Sequence, residues 1–425
     1  MMSDTQQQPR HIIAIIGGAV AGAEAARVFS LSGVETVVID QNTLPYGKLE
    51  DGLPKWHGKL RDKEEDNIDI KLNHPLVHFV PGVTVSRDIS FVDLHQLGFS
   101  AVLIATGAWK DRSVPVDGID EFINKGLWYQ NDFIWRFNHC HEPGFMDALP
   151  DIPDGAMVIG GGLASLDIVK VIMLETVKKA LEKKGIAVDI LSLERSIPAF
   201  LSKHGLTLES LSLNGCTLYY RKRCCDMPLT PVSNEDTGKR EKVRLKILAN
   251  FMEKYLFRVK DCMVPVDKIV INEFLAGIVF RMTRFENGLL SEIPGSEVRA
   301  ESAMIISSIG SVPAPIEGLP YRKEMFDLAD MDTCRIEGLD NVFTAGNAVT
   351  GRGNIIESMK HGRRIAEYML NHFLPSSPTL PSEKISEISE WVKALQLNAG
   401  YNGNFTDWIK KYKPVRLENI LKEKK

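Results

Sequence analysis

The chain has 425 residues, 44% of them hydrophobic, and 51 basic side chains against 55 acidic ones leave a formal charge of −4. A single core stops growing near roughly 250 to 300 residues, so two domains are expected, and the balanced charge excludes a global field that would draw the protein onto nucleic acid or a membrane surface. Six cysteines (Cys140, Cys216, Cys224, Cys225, Cys262 and Cys334) show neither a CxxC nor a zinc-ligand spacing, which argues against a dithiol centre, a structural metal and a secreted disulfide scaffold.

The opening MMSDTQQQPR lacks an apolar stretch of signal-peptide length, and no later run reaches the ~18 to 20 apolar residues that a membrane span needs. A lead-in to a soluble chain in a reducing compartment is expected, cytoplasm or an organelle matrix after processing. His11 to Ile16 is a β-branched run ending in a glycine turn, Ala23 to Leu31 has helix-forming composition, and Glu35 to Asp40 is a second apolar strand closing on an acid. That order is one β-α-β unit.

A pyrophosphate needs backbone N–H groups aimed at it with nothing bulky between, at the opening of a helix. In AIIGGAVAGAEAARVF, Gly17 supplies the tight turn, Gly22 lets the helix approach the strand, and Ala19 adds one methyl where the backbone meets phosphate. Asp40 follows Gly22 by 18 residues, near the separation expected of a carboxylate that accepts from a ribose.

FSAVLIATGAWKDR reads as a strand over Ala101 to Ala105 that ends in Thr106 and Gly107. The β-α-β order then returns: Ala156 to Ile159, the turn GGGLAS with Gly160, Gly162 and Ser165 in the fingerprint positions, a helix from Leu166 to Lys184, and a strand from Ala187 to Leu193. VRLKIL, KIVINEF, AGIVFRMTRF and SAMIISSIG follow as strand-rich segments. GLDNVFTAGNAVTGRGNIIESMKHGRRIAEYML reads as strand, polar loop and helix, and a Pro/Ser linker leads to a last helix with Ile385, Ile388, Trp391, Val392 and Leu395 on one face.

The expected fold is therefore α/β, with two nested Rossmann-like dinucleotide-binding domains and no dimerisation domain. The first domain takes residues 1–112 and 326–425, and the second is inserted over 113–325. Two such units usually pair one tightly held flavin with one exchanging nicotinamide.

LPYGKLEDGLPKWH, the Ala105–Thr106–Gly107 segment, VIGGGLASLD, RSIPAF, SSIGSVPAPIEGLP and AGNAVTGRGNII together resemble the adrenodoxin-reductase-type ferredoxin–NAD(P) reductases over nearly the whole chain. The resemblance implies FAD in the first domain, NADPH or NADH in the inserted one, and single-electron delivery to a ferredoxin-like iron–sulfur carrier. It assigns Gly17, Ala19 and Gly22 to the FAD pyrophosphate, Asp40 to its ribose, and Gly47, Leu49, Thr106 and Gly107 to the flavin surroundings. Gly346 and Asn347 fall to the ribityl phosphate, with Asn354, Ile355 and Ile356 opening a helix toward the ring. A helix N-terminus there stabilises negative charge.

His57 matches the family's histidine beside the flavin, and Glu209 is a candidate carboxylate for sharing its protons. Glu194 and Arg195, read as the end of the strand VDILSL, stand where the family commonly has paired arginines; a carboxylate there favours NADH, while Arg195 alone serves NADPH. Leu163 replaces a family Asn, and Asn347 a common Trp. Arg221, Lys222, Arg223, Lys239, Arg240, Lys242, Arg244 and Lys246 make a basic region suited to an acidic ferredoxin, or simply a solvated charged face. A disulfide reductase is disfavoured by the lack of a CxxC, and a glutamate-synthase-like subunit by the lack of a cysteine-rich segment before Gly17. A non-catalytic nucleotide-binding scaffold and a reductase of a small acceptor such as a quinone stay as alternatives.

Overall fold

The computed structural model describes residues 11–423 apart from 231–236, 287 and 352–353; the expected N-terminal lead-in lies outside them. The chain divides into two compact units, Met1–Lys110 with Ser311–Lys425, and Asp111–Gly310. The return to the first unit thus comes at 311, ahead of the 326 expected from the sequence, because 314–316 already line a cavity of that unit.

In the first unit, β1 (Ile12–Ile16) and β2 (Glu35–Ile39) flank α1 (Val20–Leu31) and pair in parallel. They belong to a seven-stranded sheet whose order is Leu328–Asp330, Arg335–Ile336, Val342–Thr344, Ala101–Ile104, β1, β2, Val77–Val80. All five residues of β1 are buried, since helices cover both faces of the sheet. Ile13 and Ile15 pack with Phe29, Leu103, Phe343 and Ile365 on one face; Ile12, Ala14 and Ile16 pack with Val102, Ile388 and Val392 on the other. The strand period of two sorts these residues, and the last long helix, Ser382–Asn398, closes the second face.

The second unit repeats the plan with β3 (Met157–Gly160), α2 (Leu163–Lys183) and β4 (Thr217–Tyr219). Its five-stranded sheet runs Leu127–Tyr129, Ile305–Ser308, β3, β4, Arg258–Lys260. Met263–Ile271, Phe274–Glu286 and Leu289–Glu301 form a separate antiparallel sheet.

Two expected strands are helices. The ILSL of VDILSL lies in the helix Ile190–Arg195, started by Asp189, whose side chain accepts from the Ser192 N–H. VRLKIL lies inside the helix Thr237–Tyr255. Short apolar runs do not distinguish the two states, and here tertiary pairing decides: the partner of β3 is β4, in the register Met157↔Thr217, Val158↔Leu218, Ile159↔Tyr219.

Candidate functional site

In both units the glycine turn sits where the strand order reverses, since β1 lies between β2 and Ala101–Ile104, and β3 between β4 and Ile305–Ser308. Open α/β sheets bind ligands at that switch point, outside the carboxyl ends of the strands.

Gly17 has φ +101°, and a Cβ there would lie 2.6 Å from the Ala105 carbonyl oxygen. Both the torsion and the space demand glycine. A Cβ on Gly22 would lie 1.9 Å from the Gly17 carbonyl oxygen, so α1 rests directly on the turn. Ala19 precedes α1, and its methyl faces Gly47, where a Cβ would stand only 3.1 Å away. The extra methyl is thus matched by a missing one opposite.

Beside this turn opens a cavity of about 290 Å³. Gly17, Ala19, Asp40, Gly47, Thr106 and Trp109 line it, with the loops 83–87 and 314–316. Asp40 is buried; its Oδ2 accepts the Gly18 N–H at 2.7 Å and its Oδ1 the Asn42 N–H at 2.9 Å. Burial pushes this carboxyl up to about 6 in spite of those donors. Thr106 Oγ1 is buried with no hydrogen-bond partner among the described residues. An orphan hydroxyl in a cavity wall, next to a glycine turn opening a helix, suits the polar middle of a dinucleotide.

The other residues expected at the flavin are in this same unit. Gly107 has φ +72° beside Trp109. Leu49 is buried in the apolar core. The Gly346 N–H donates to His361 Nδ1 at 2.8 Å, and Asn347 accepts from the Ser358 hydroxyl at 3.3 Å. Asn354 caps the helix Ile355–Tyr368 by accepting the Glu357 N–H at 3.0 Å, leaving Ile356 exposed in the first turn. His57 ends the short turn Lys55–His57, half-buried, its ring 6.2 Å from that of Trp56. Glu209 belongs to the other unit and is exposed; its own backbone N–H and the Thr207 side chain hold its carboxyl low.

In the second unit a Cβ on Gly162 would meet nothing within 4 Å, so the backbone is open at the position expected to meet phosphate. Ser165 does something other than meet a cofactor. It is fully buried, and its hydroxyl donates to the Ser308 carbonyl at 3.1 Å, fastening α2 to the strand Ile305–Ser308. Leu163, the first residue of α2, is exposed.

Glu194 and Arg195 need correction. They end a helix, not the strand beside β3, and Glu194 is committed to the buried Lys170 at 2.5 Å and to the Tyr255 hydroxyl at 3.3 Å. The place that Asp40 holds after β2 is held after β4 by Tyr220, followed by Arg221, Lys222 and Arg223. The Tyr220 ring lies against Gly161, where a Cβ would be 2.2 Å from its carbons, and its hydroxyl donates to the Asp226 carbonyl. Arg223 pairs with Asp226 at 2.8 Å and Glu241 at 3.5 Å, Lys222 stands over the Phe285 ring, and Arg221 is exposed.

Sequence reasoning therefore missed Tyr220 and the placement of the arginines, along with the cavity-lining 83–87, Trp109 and 314–316. The glycine in PGVTVSRD at a strand end was a usable signal for the first loop; Trp109 carried none.

Residues 11–174 match the family described as pyridine nucleotide-disulphide oxidoreductase. The mitochondrial NADPH:adrenodoxin oxidoreductase of Arabidopsis thaliana is 23% identical over 354 residues, 75% of this chain and 71% of that protein. The glutamate synthase [NADPH] small chain of Bacillus subtilis is 23% identical over 387 residues, 87% and 69% respectively. Among solved structures, FprA of Mycobacterium tuberculosis in complex with NADPH superposes with a TM-score of 0.70 at 18% identity, covering 91% of each chain. The α/β fold with two dinucleotide-type units is borne out, as are the resemblance to adrenodoxin-reductase-type proteins and the expectation of an oxidoreductase. No helix among the described residues is long and apolar enough to cross a membrane.

Proposed function

We propose that the chain is a flavin oxidoreductase that takes a hydride from NADPH onto FAD and passes electrons singly to a ferredoxin-like iron–sulfur protein. The observation that carries it is the cavity at the first switch point, with its glycine turn, buried carboxylate and orphan hydroxyl. When bound, FAD supplies the chemistry that joins a two-electron donor to a one-electron acceptor. The residues supply the rest: the Gly17–Gly22 turn presents N–H groups to the pyrophosphate, Asp40 orients the ribose, and Thr106 donates into the cavity. The helix Ile355–Tyr368, capped by Asn354, offers its positive end to the charge that reduction brings. His57, in the same unit, is the candidate for holding a proton on the flavin side, with Glu209 a second candidate by resemblance alone.

NADPH is preferred to NADH in this reading because no carboxylate follows β4. Tyr220 stands at the position that accepts from a free 2′-hydroxyl, and Arg221 and Lys222 follow it with charge for a 2′-phosphate. The basic residues after β4 and on the helix Thr237–Tyr255 form the landing surface for the acidic iron–sulfur partner.

Anaerobic titration of the FAD-loaded protein tests the proposal. Bleaching of the flavin absorbance by NADPH at lower concentration than by NADH, followed by ferredoxin reduction, supports it. A protein that binds FAD but ignores both nucleotides is a scaffold, and one that reduces a quinone but no ferredoxin has another acceptor.

A further inference from the structure

The first unit contains a contact that its cofactor reading does not use. The loop 43–58 carries Gly47 and His57, and the C-terminal segment 404–423 touches it at three separated points. Trp408 Nε1 donates to the Thr43 carbonyl at 2.8 Å where the loop begins. Arg416 Nη1 donates to Glu50 Oε2 at 2.6 Å in its middle. At its end the Glu418 carboxylate lies against Gly58, where a Cβ would stand 2.7 Å from Glu418 Oε1.

The middle point is a buried ionic cluster. Arg416 also donates from Nε to Asp62 Oδ1 at 2.9 Å and from Nη2 to Glu65 Oε2 at 2.5 Å. Arg61 adds a second guanidinium, bonded to the Glu50 carbonyl at 2.7 Å and paired with the Glu50 carboxylate. Arg61 and Glu65 are each 2% exposed. One side chain from the C-terminal segment thus ties the loop, through Glu50, to the helix Gly58–Leu72, through Asp62 and Glu65. Arg416 thus meets two buried carboxyls, Glu50 and Glu65, and the half-exposed Asp62, so removing it takes a guanidinium away from buried acidic groups, an unfavourable change. In keeping with this, burial and the facing Glu50 push the Glu65 carboxyl up to about 7.

Apolar packing of Tyr401, Phe405, Trp408 and Ile409 into the core anchors the segment before Arg416 is reached. The polar contacts of Arg416 and Glu418 come after that anchor. They act on the loop.

We propose that residues 404–423 form a strap that sets the shape of the loop 43–58, with Arg416 as its positioning residue, so that FAD is held tightly only while the strap is engaged. This rests on the assignment of FAD to the first cavity. The test uses full-length protein and the variants Arg416→Gln and Arg416→Lys. FAD affinity is read by flavin fluorescence, loop protection by hydrogen exchange of the apoprotein over 43–58, and NADPH binding as a control on the other unit.

Arg416→Gln is expected to raise the FAD dissociation constant by roughly tenfold or more and to speed exchange over 43–58, with NADPH binding unchanged. Arg416→Lys, which keeps the charge but not the forked donors, falls between it and the wild type. Should Arg416→Gln fail to fold, the lysine variant carries the same readings. Unchanged exchange over 43–58, or unchanged FAD affinity in a wild type that binds FAD, overturns the strap. A wild type that takes up no FAD overturns the cofactor assignment instead, and exchange alone then decides whether the strap exists.

Discussion

The two β-α-β units share a topology and differ at the residue that follows their second strand. After β2 stands Asp40, buried and bonded to the Gly18 N–H; after β4 stands Tyr220, its ring pressed on Gly161 and cations next in line. At the phosphate position the first unit has a methyl, Ala19, faced by Gly47, whereas the second has Gly162 with open space. At the helix–strand contact the first has Gly22 and the second has Ser165, which bonds across. A tightly enclosed turn suits a cofactor that stays, and an open one suits a nucleotide that comes and goes. The same backbone plan is specialised by three side-chain choices.

The comparison can be broken most severely at Gly17. Gly17→Val places a β-branched side chain at φ +101° against the Ala105 carbonyl; the expected result is loss of FAD from the purified protein and a cost of roughly 3 kcal/mol or more in chemical denaturation of the first unit. Converting the second edge toward the first comes next. Tyr220→Asp combined with Arg221→Ala is expected to shift the ratio of kcat/KM for NADPH over NADH at least about tenfold toward NADH, whereas Glu194→Gln leaves that ratio unchanged. If Glu194→Gln moves the ratio, the assignment of the ribose edge to β4 is wrong.

Glu194→Gln should act on stability instead, costing about 1–3 kcal/mol in denaturant titration because Lys170 stays buried without its carboxylate. Asp40→Asn is expected to weaken FAD binding by about tenfold, measured by fluorescence. The smallest effect is at the helix–strand contact, where Ser165→Ala loses one hydrogen bond and about 1 kcal/mol.

The pH dependence follows from carboxyls shifted in opposite directions. Burial raises Asp40 and Asp69 to about 6 and Asp167 to about 7. A carboxyl raised in the folded state contributes stability that is present below its unfolded value and lost as pH rises through the folded one. Glu24 runs the other way: against burial, Arg27, Lys71 and Arg363 hold it down at about 2, so its contribution is lost as pH falls below about 4. The change in apoprotein melting between about pH 4 and pH 7 is therefore expected to be shifted toward a shallower decline in Asp40→Asn than in the wild type. Calorimetry across that range reads both slopes.

Much of the site was legible because its signals are local. The run His11 to Ile16, the turn, the helix and Asp40 follow one another within thirty residues, and each has one structural reading once the others are in place. The second unit resisted because its two strands are separated by a long helix and further helical turns, and ILSLER offered a plausible strand before TLYYRKR was reached. Glu194 satisfied a spacing rule that the intervening helices had suspended. The contact of Arg416 with Glu50 spans 366 positions, and no periodicity connects residues so far apart.

What the sequence determined by itself was the pair of glycine turns, the apolar strands that precede them and the α/β plan, because backbone torsion and side-chain alternation are set by neighbours in the chain. Which strand lies beside β3, which residue follows each second strand, and how the C-terminal segment meets the loop 43–58 were decided only in three dimensions. Strand pairing and buried charge depend on partners that the chain brings together after it has folded.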